Sequence, residues 1–200
     1  MYDAVIIGSG PGGYTCAIRI AQLGGCAALI EKDELGGCCA NNGCIPTKAL
    51  YESAHMIARC KKSKRLGIDL KYDVNFDEII KRKERIVKAG VLGISRLLES
   101  FGIEFIKGVG KIVDKNRVGV DSRVLETKNI VIATGSAPFS VPKVEIDHDV
   151  VIDSTDALSI RELPEDIIIV GGGIIGVEFA SIFAQFGVQV TVLEMLPNLV

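Results

Sequence analysis

Asp3-Ala4-Val5-Ile6-Ile7-Gly8-Ser9-Gly10-Pro11-Gly12-Gly13 decides the reading of this chain, because the pattern occurs twice. The second copy is Asp166-Ile167-Ile168-Ile169-Val170-Gly171-Gly172-Gly173-Ile174-Ile175-Gly176. Gly8 to Gly171, Gly10 to Gly173 and Gly13 to Gly176 are each 163 residues apart. The same offset links Gln22 to Gln185, Gly24 to Gly187 and Glu31 to Glu194. Each copy therefore reads strand, Gly-x-Gly-x-x-Gly, helix, strand, acid. The first glycine permits a tight turn, the second lets backbone approach a pyrophosphate, and the third packs helix on strand. The helix N-terminus offers free N–H groups and a positive dipole end to the phosphates. The closing acid accepts hydrogen bonds from a ribose diol. The expected fold class is α/β, with two Rossmann-like dinucleotide-binding folds. Glu194 repels a ribose 2′-phosphate, and no arginine follows it in Met195 to Val200, so the second site is expected to prefer NAD to NADP.

Between the copies, Tyr51 to Arg65 carries Ala54, Ile57 and Ala58 on one face and reads as a helix. Asn75 with Glu78 resembles a capping box and opens a second helix to about Ser100, with Ile79, Ile80, Ile86, Val87, Val91, Ile94, Leu97 and Leu98 as its buried stripe. Ile103–Lys107, Lys111–Val113, Val118–Val120 and Val124–Glu126 read as a small β-meander inserted in the first fold. Asn129 to Pro138 is a buried strand that ends in a small-residue turn, where backbone can come close to a ligand. Pro138 and Pro142 mark the passage between the folds, giving a first domain at 1–145 and the start of a second at 146–200. Asp153 to Leu158 reads as a capped short helix in the connection.

The bulk properties narrow the function. Nearly half of the 200 residues are apolar, enough for real cores, and the formal net charge of −2 argues against a nucleic-acid partner. Lys61-Lys62-Ser63-Lys64-Arg65 and Lys81-Arg82-Lys83 read as solvated helix faces, since acids such as Glu78 and Glu84 interleave with the second. The start has no basic n-region or cleavage site, and the longest apolar run, Ile167 to Val177, is short and holds four glycines. A cytoplasmic protein without a membrane segment is expected. In a reducing compartment any disulfide among the six cysteines would be catalytic rather than structural. Cys16, Cys26 and Cys60 read as small buried hydrophobes, and His55 and His148 as structural or surface residues. No second Cys or His pair at ligand spacing follows Cys39 and Cys44, so no metal site is expected.

Cys39 and Cys44 lie in Gly36-Gly37-Cys38-Cys39-Ala40-Asn41-Asn42-Gly43-Cys44-Ile45-Pro46-Thr47-Lys48, just after the first unit. With Ala133-Thr134-Gly135-Ser136 and Gly171 to Glu178, this stretch resembles the pyridine nucleotide–disulfide oxidoreductases over nearly the whole chain. The resemblance is closest to the dihydrolipoyl dehydrogenase branch, with glutathione and mercuric reductases as further relatives. It implies FAD along the first fold, with Gly8, Gly10 and Gly13 at its pyrophosphate, Glu31 at its adenosine ribose, and Gly110, Thr134, Gly135 and Ser136 as further contacts. It implies a redox disulfide in which Cys39 exchanges with substrate dithiol and Cys44 lies against the flavin. Lys48 would sit near flavin N5, paired with Glu178. Gly171, Gly173, Gly176 and Glu194 would hold NAD. The implied reaction oxidises protein-bound dihydrolipoamide to lipoamide and reduces NAD⁺. The partners would be dihydrolipoyl groups of 2-oxo acid dehydrogenase or glycine cleavage complexes, in a homodimer.

Two departures stand out. Cys38 takes a position that is usually threonine in that family, placing a third thiol beside the redox pair. Family chains also continue past the equivalent of Val200, completing the NAD fold and adding an interface domain. Two strands and one helix cannot close a doubly wound sheet, so an FAD-binding fragment with a redox dithiol but without full turnover is the alternative expectation.

Overall fold

The computed structural model describes residues 1–139, 141 and 144–200, so Pro142 lies outside the described residues. The elements in chain order are β1 (Tyr2–Ile7), α1 (Pro11–Gln22), β2 (Ala27–Glu31), α2 (Gly37–Asn41), α3 (Cys44–Lys62), α4 (Phe76–Ser100), β3 (Glu104–Lys107), β4 (Gly110–Asp114), β5 (Arg117–Val120), β6 (Arg123–Ile132), α5 (Ser154–Ala157), β7 (Asp166–Val170), α6 (Ile174–Phe186) and β8 (Gln189–Leu193). They fall into two compact units, residues 1–44 with 87–139, and residues 45–86 with 140–200.

The first unit is built on a sheet of order β3-β2-β1-β6-β5-β4. β3, β2, β1 and the C-terminal half of β6 run parallel, with Ala4 opposite both Ala27 and Asn129. β5 joins β6 and β4 antiparallel, with Val118 opposite Leu125. Strand side chains alternate between faces, and here both faces are covered. Ala4, Ile6 and Leu29 pack with Ala17 of α1, Leu98 of α4 and Ile103. Val5, Ala28 and Ile30 pack on the other face with Ile106, Val118, Val120 and Leu125. Side chains such as Ile6 and Leu29, with no exposure at all, each contribute about 1.5–3 kcal/mol of burial. This double cover is why β2 reads as the unbroken run Ala-Ala-Leu-Ile-Glu, buried throughout.

The meander has three strands, not the four expected. Glu104–Lys107 pairs parallel with β2 and belongs to the main sheet. Val124–Glu126 and Asn129–Ile132 form one ten-residue strand, β6. Side-chain amides tie that strand: Asn116 donates to the Thr127 carbonyl at 2.9 Å, and Asn129 to the Asp3 carbonyl at 2.9 Å.

In the second unit β7 and β8 are parallel, Ile167 opposite Val190, with α6 against them. Phe179, Ile182, Phe183 and Val188 pack with Leu50 and Ala54 of α3, Ile80 of α4, and Ala157 and Leu158. Helix α3 starts seven residues before the expected Tyr51 and gives way to a 3-10 turn at Ser63–Leu66. Pro46 falls within its first turn, where the missing N–H would have had no intrahelical partner. Asn75 caps α4 by accepting from Glu78 N at 3.2 Å, but the Glu78 carboxylate takes Lys81, so only half of the expected box is seen, whereas Asp153 with Asp156 forms a reciprocal capping box.

Three expectations about exposure are corrected. Lys83 is buried and donates to the Leu158 carbonyl at 2.8 Å, while Arg82 reaches the Ala49 carbonyl at 3.0 Å. Burial pulls the Lys83 ammonium below the usual lysine range. Leu97 is exposed, because the core-facing stripe of α4 runs through Val91, Ile94 and Leu98 and leaves Leu97 beside it. Cys26 is exposed in the turn before β2, whose N–H donates to Asp3, whereas Cys16 and Cys60 are half-buried. No described helix is long and apolar enough to cross a membrane.

Candidate dinucleotide and dithiol site

The first glycine turn is shaped by backbone contacts. Gly8 has φ +102°, and a methyl group added there would lie 2.2 Å from the Ala133 carbonyl oxygen. One added at Gly13 would lie 1.8 Å from the Gly8 carbonyl oxygen. Those two glycines are required by the protein's own packing. Gly10 differs: nothing lies within 4 Å of a methyl group there. Its site is open space at the N-terminus of α1, the place at which a pyrophosphate is held. Gly110 lies over the ends of β1 and β2, 3.1 Å from Ile7 Cγ2 on the same test. Thr134, Gly135 and Ser136 follow Ala133, whose N–H donates to the Ile7 carbonyl at 2.8 Å, and all three are exposed. The expected contacts thus gather outside the carboxyl ends of β1, β2 and β6, where open α/β sheets bind their ligands.

Glu31 closes β2 as a buried acid. It accepts from Ser9 N, Ser9 Oγ and Asp33 N, each at 2.8 Å. Burial pushes its carboxyl up, but these hydrogen bonds outweigh it and hold the group below the usual glutamate range. The Ser9 hydroxyl also accepts from Gly36 N at 3.1 Å. Ser9 therefore ties the acid, the glycine turn and the start of α2 together. Sequence reading passed over it as the variable residue of the motif, where a hydroxyl gives no signal of its own. Glu31→Gln is expected to lower stability by about 1–3 kcal/mol through poorer partners for Ser9 and Asp33. The Glu31 contribution is present above the unfolded pKa, about 4.3, and is lost as pH falls through the lower folded value. Urea titrations of both proteins should therefore converge as the pH is lowered.

Helix α2 seats the thiols. Gly37, at φ +60°, packs so closely that an added methyl would be 2.8 Å from Gly10 Cα. Asn41 donates to the Leu35 and Gly37 carbonyls, both at 2.9 Å, and braces the turn. Cys39 and Cys44 are free thiols near enough for Cys44 to act on the ionisation of Cys39, and Cys44 opens α3. Burial pushes the Cys39 thiol up to about 11, and the hydrogen bond and charge of Cys44 add to the rise.

The second glycine turn repeats the backbone bonds of the first, with Gly172 in place of Ser9 and so without its hydroxyl. Gly171 has φ +109°, and its N–H donates to the Leu193 carbonyl at 2.8 Å, as Gly8 does to Ile30. A methyl at Gly176 would be 2.0 Å from the Gly171 carbonyl oxygen, and Gly173 faces open space. Glu194 accepts from Gly172 N at 2.5 Å and Leu196 N at 2.7 Å, which hold its carboxyl below the usual range. In the same unit Lys48 and Glu178 form an ion pair, as expected. Glu178→Gln should change stability by about 0–1 kcal/mol, since Lys48 is more than half exposed; chemical denaturation of both proteins checks this.

Among the described residues no cluster of three or more His, Cys, Asp or Glu side chains could hold a metal. His148 pairs with Asp156 at 2.9 Å, and that carboxylate raises the His148 pKa. His55 stacks on Tyr51.

A family model described as pyridine nucleotide-disulphide oxidoreductase matches residues 2–200. The chain belongs to the pyridine nucleotide–disulphide oxidoreductase family. It is 42% identical over 204 residues to a dihydrolipoyl dehydrogenase of Acholeplasma laidlawii, covering 99% of this chain and 61% of that protein. It is 40% identical over 207 residues to the dihydrolipoyl dehydrogenase of Bacillus subtilis, covering 96% of this chain and 44% of that protein. The HOCl-induced flavoprotein disulfide reductase RclA of Escherichia coli superposes with a TM-score of 0.85 at 35% identity, covering 100% of this chain and 43% of that one. The chain thus spans 61% or less of the length of these relatives.

Members of this oxidoreductase family use FAD and NAD(H). The first unit fits FAD on its own geometry: an open space at Gly10, a helix N-terminus, and an acid at the end of β2. The turn at Gly171–Gly176 repeats those features for a second nucleotide.

Proposed function

We propose that this chain is the FAD-binding and dithiol-bearing part of a flavoprotein disulfide oxidoreductase of dihydrolipoyl dehydrogenase type. It would oxidise protein-bound dihydrolipoamide to lipoamide and pass the electron pair to NAD⁺. The carrying observation is the segment bearing Cys39 and Cys44, two thiols that influence each other's ionisation, which Gly37 and Ser9 fasten to the glycine turn. Residues 1–145 form the FAD domain and 146–200 the start of the NAD domain. Gly8, Gly10, Gly13, Glu31, Gly110, Thr134, Gly135 and Ser136 hold FAD, and the family resemblance assigns Lys48 to the same cofactor. When bound, FAD supplies the two-electron acceptor that stands between the dithiol and the nicotinamide.

The thiol chemistry is carried by the chain. A substrate thiolate attacks Cys39 Sγ of the Cys39–Cys44 disulfide, forming a mixed disulfide and releasing Cys44 as thiolate. Cys44 is the first residue of α3, where the helix dipole favours a negative charge by about 0.3–1 kcal/mol. The second substrate thiolate then displaces Cys39. The substrate leaves as a disulfide, and Cys39 takes up a proton, which its half-buried setting favours. Lys48, paired with Glu178, is a positioning residue.

Each Glu194 oxygen accepts one backbone hydrogen bond and keeps a lone pair for a ribose hydroxyl, while the charge repels a 2′-phosphate. Stopped-flow reduction of the FAD-loaded protein tests this. NADH should be at least about tenfold faster than NADPH, a difference of about 1.4 kcal/mol. Faster reduction by NADPH overturns the NAD assignment.

A fragment that binds FAD and carries a redox dithiol without turnover is the second reading. The outer face of the two-stranded β7–β8 sheet favours it, since Ile168, Val170 and Leu193 are exposed there. Steady-state oxidation of dihydrolipoamide by NAD⁺ separates the two. The physiological partners on the first reading are dihydrolipoyl groups of 2-oxo acid dehydrogenase or glycine cleavage complexes, met by a homodimer.

A further inference from the structure

Cys38 is the one feature of the dithiol segment that the proposed reaction leaves unused. It is exposed on α2, beside Cys39, and its charge adds to the raised proton affinity of Cys39. The Cys38 carbonyl accepts from Asn42 N at 2.8 Å, which closes the end of α2 and folds Gly43 back over Cys38. A methyl group at Gly43 would stand 3.3 Å from Cys38 Sγ and 3.0 Å from its carbonyl oxygen. The Cys38 sulfur therefore rests against the residue that leads directly into Cys44. Adjacent residues of a helix do not face each other, which disfavours a Cys38–Cys39 bond.

We propose that Cys38 is a third exchangeable thiol of this site, able to displace Cys39 from the Cys39–Cys44 disulfide. This rests on the redox pair put forward above. The Cys38 thiolate attacks Cys44 Sγ, the Cys38–Cys44 bond forms, the Cys39–Cys44 bond breaks, and its electron pair leaves with Cys39 sulfur. The proton given up by Cys38 ends on Cys39. No electrons are gained or lost, so no oxidant is needed. The outcome is a second oxidised form whose outer sulfur is the exposed Cys38. Gly43 has no side chain to obstruct the adjustment.

Differential alkylation of the oxidised protein tests this. Free thiols are trapped at low pH with N-ethylmaleimide, and the disulfide is then reduced and capped with iodoacetamide. The tryptic peptide of residues 33–48 contains all three thiols, and its fragment masses assign each label. The expected result is maleimide on both Cys38 and Cys39, with at least about a tenth on Cys39. A Cys39–Cys44 bond with maleimide confined to Cys38 overturns the exchange alone. No disulfide in the peptide overturns the redox pair and the exchange together. In Cys39→Ser treated with diamide, the peptide should lose both remaining free thiols, and the Cys38→Ser/Cys39→Ser double variant should keep its single one. A Cys39→Ser peptide that keeps both free thiols counts against the exchange independently of the wild-type protein.

Discussion

Replacing Cys44 by serine abolishes dithiol-driven reduction of bound FAD, slowing it by at least about a thousandfold, the scale of losing a covalent participant. Cys44 is the sulfur common to both disulfides considered for this site, and α2 geometry disfavours a substitute bond between Cys38 and Cys39. Cys39→Ser is milder in its effect on disulfide formation, because Cys38 rests against Gly43 and can pair with Cys44. Anaerobic stopped-flow mixing with dihydrolipoamide reads the Cys44→Ser rate. Reduction by NADH in the same protein checks that FAD is still held. A Cys44→Ser protein whose flavin is reduced by dithiol at the wild-type rate would remove Cys44 from the chemistry.

The second large effect separates two glycines only three residues apart. Gly13→Ala places its methyl 1.8 Å from the Gly8 carbonyl oxygen, a backbone atom that cannot rotate away. Overpacking of movable side chains costs about 1–3 kcal/mol, and this fixed contact should cost about 3 kcal/mol or more. Gly10→Ala meets no protein atom within 4 Å, and φ −64° suits alanine. Its stability should fall by less than about 1 kcal/mol, the cost of an N-cap alanine. FAD affinity should nevertheless drop at least about tenfold, or about 1.4 kcal/mol, because the methyl enters the space assigned to the pyrophosphate. Urea unfolding and FAD titration together check the pair. Equal stability losses at both positions would contradict the reading of Gly10 as a ligand-facing glycine.

The parts of this molecule that were legible in the sequence are those set by backbone sterics. Gly8 and Gly13 have no alternative residue at their positions, and the 163-residue repeat extends to matching hydrogen bonds from Gly8 and Gly171. Caps were legible for a second local reason: Asn75 and Asp153 satisfy specific orphan N–H groups. What was not legible depended on tertiary choice. Nothing in Val124 to Ile132 says whether two short strands or one long one will form, since Asn116 and Asp3 supply the deciding bonds from elsewhere. The apolar face of α3 does not reveal that Leu50 and Ala54 pack with Phe179 and Ile182. Lys83 reads as a surface cation until the Leu158 carbonyl is seen to receive it. In the site, Ser9 escaped notice because its role lies in two long-range hydrogen bonds, to Glu31 and from Gly36.

The visible absorption spectrum of the FAD-loaded protein, recorded before and after one equivalent of dihydrolipoamide, tests the central claim most directly. A Cys44 thiolate against the cofactor predicts a new long-wavelength charge-transfer band that is absent in Cys44→Ser. Retention of FAD with a spectrum unchanged by dithiol would contradict the placement of the Cys39–Cys44 pair beside the flavin.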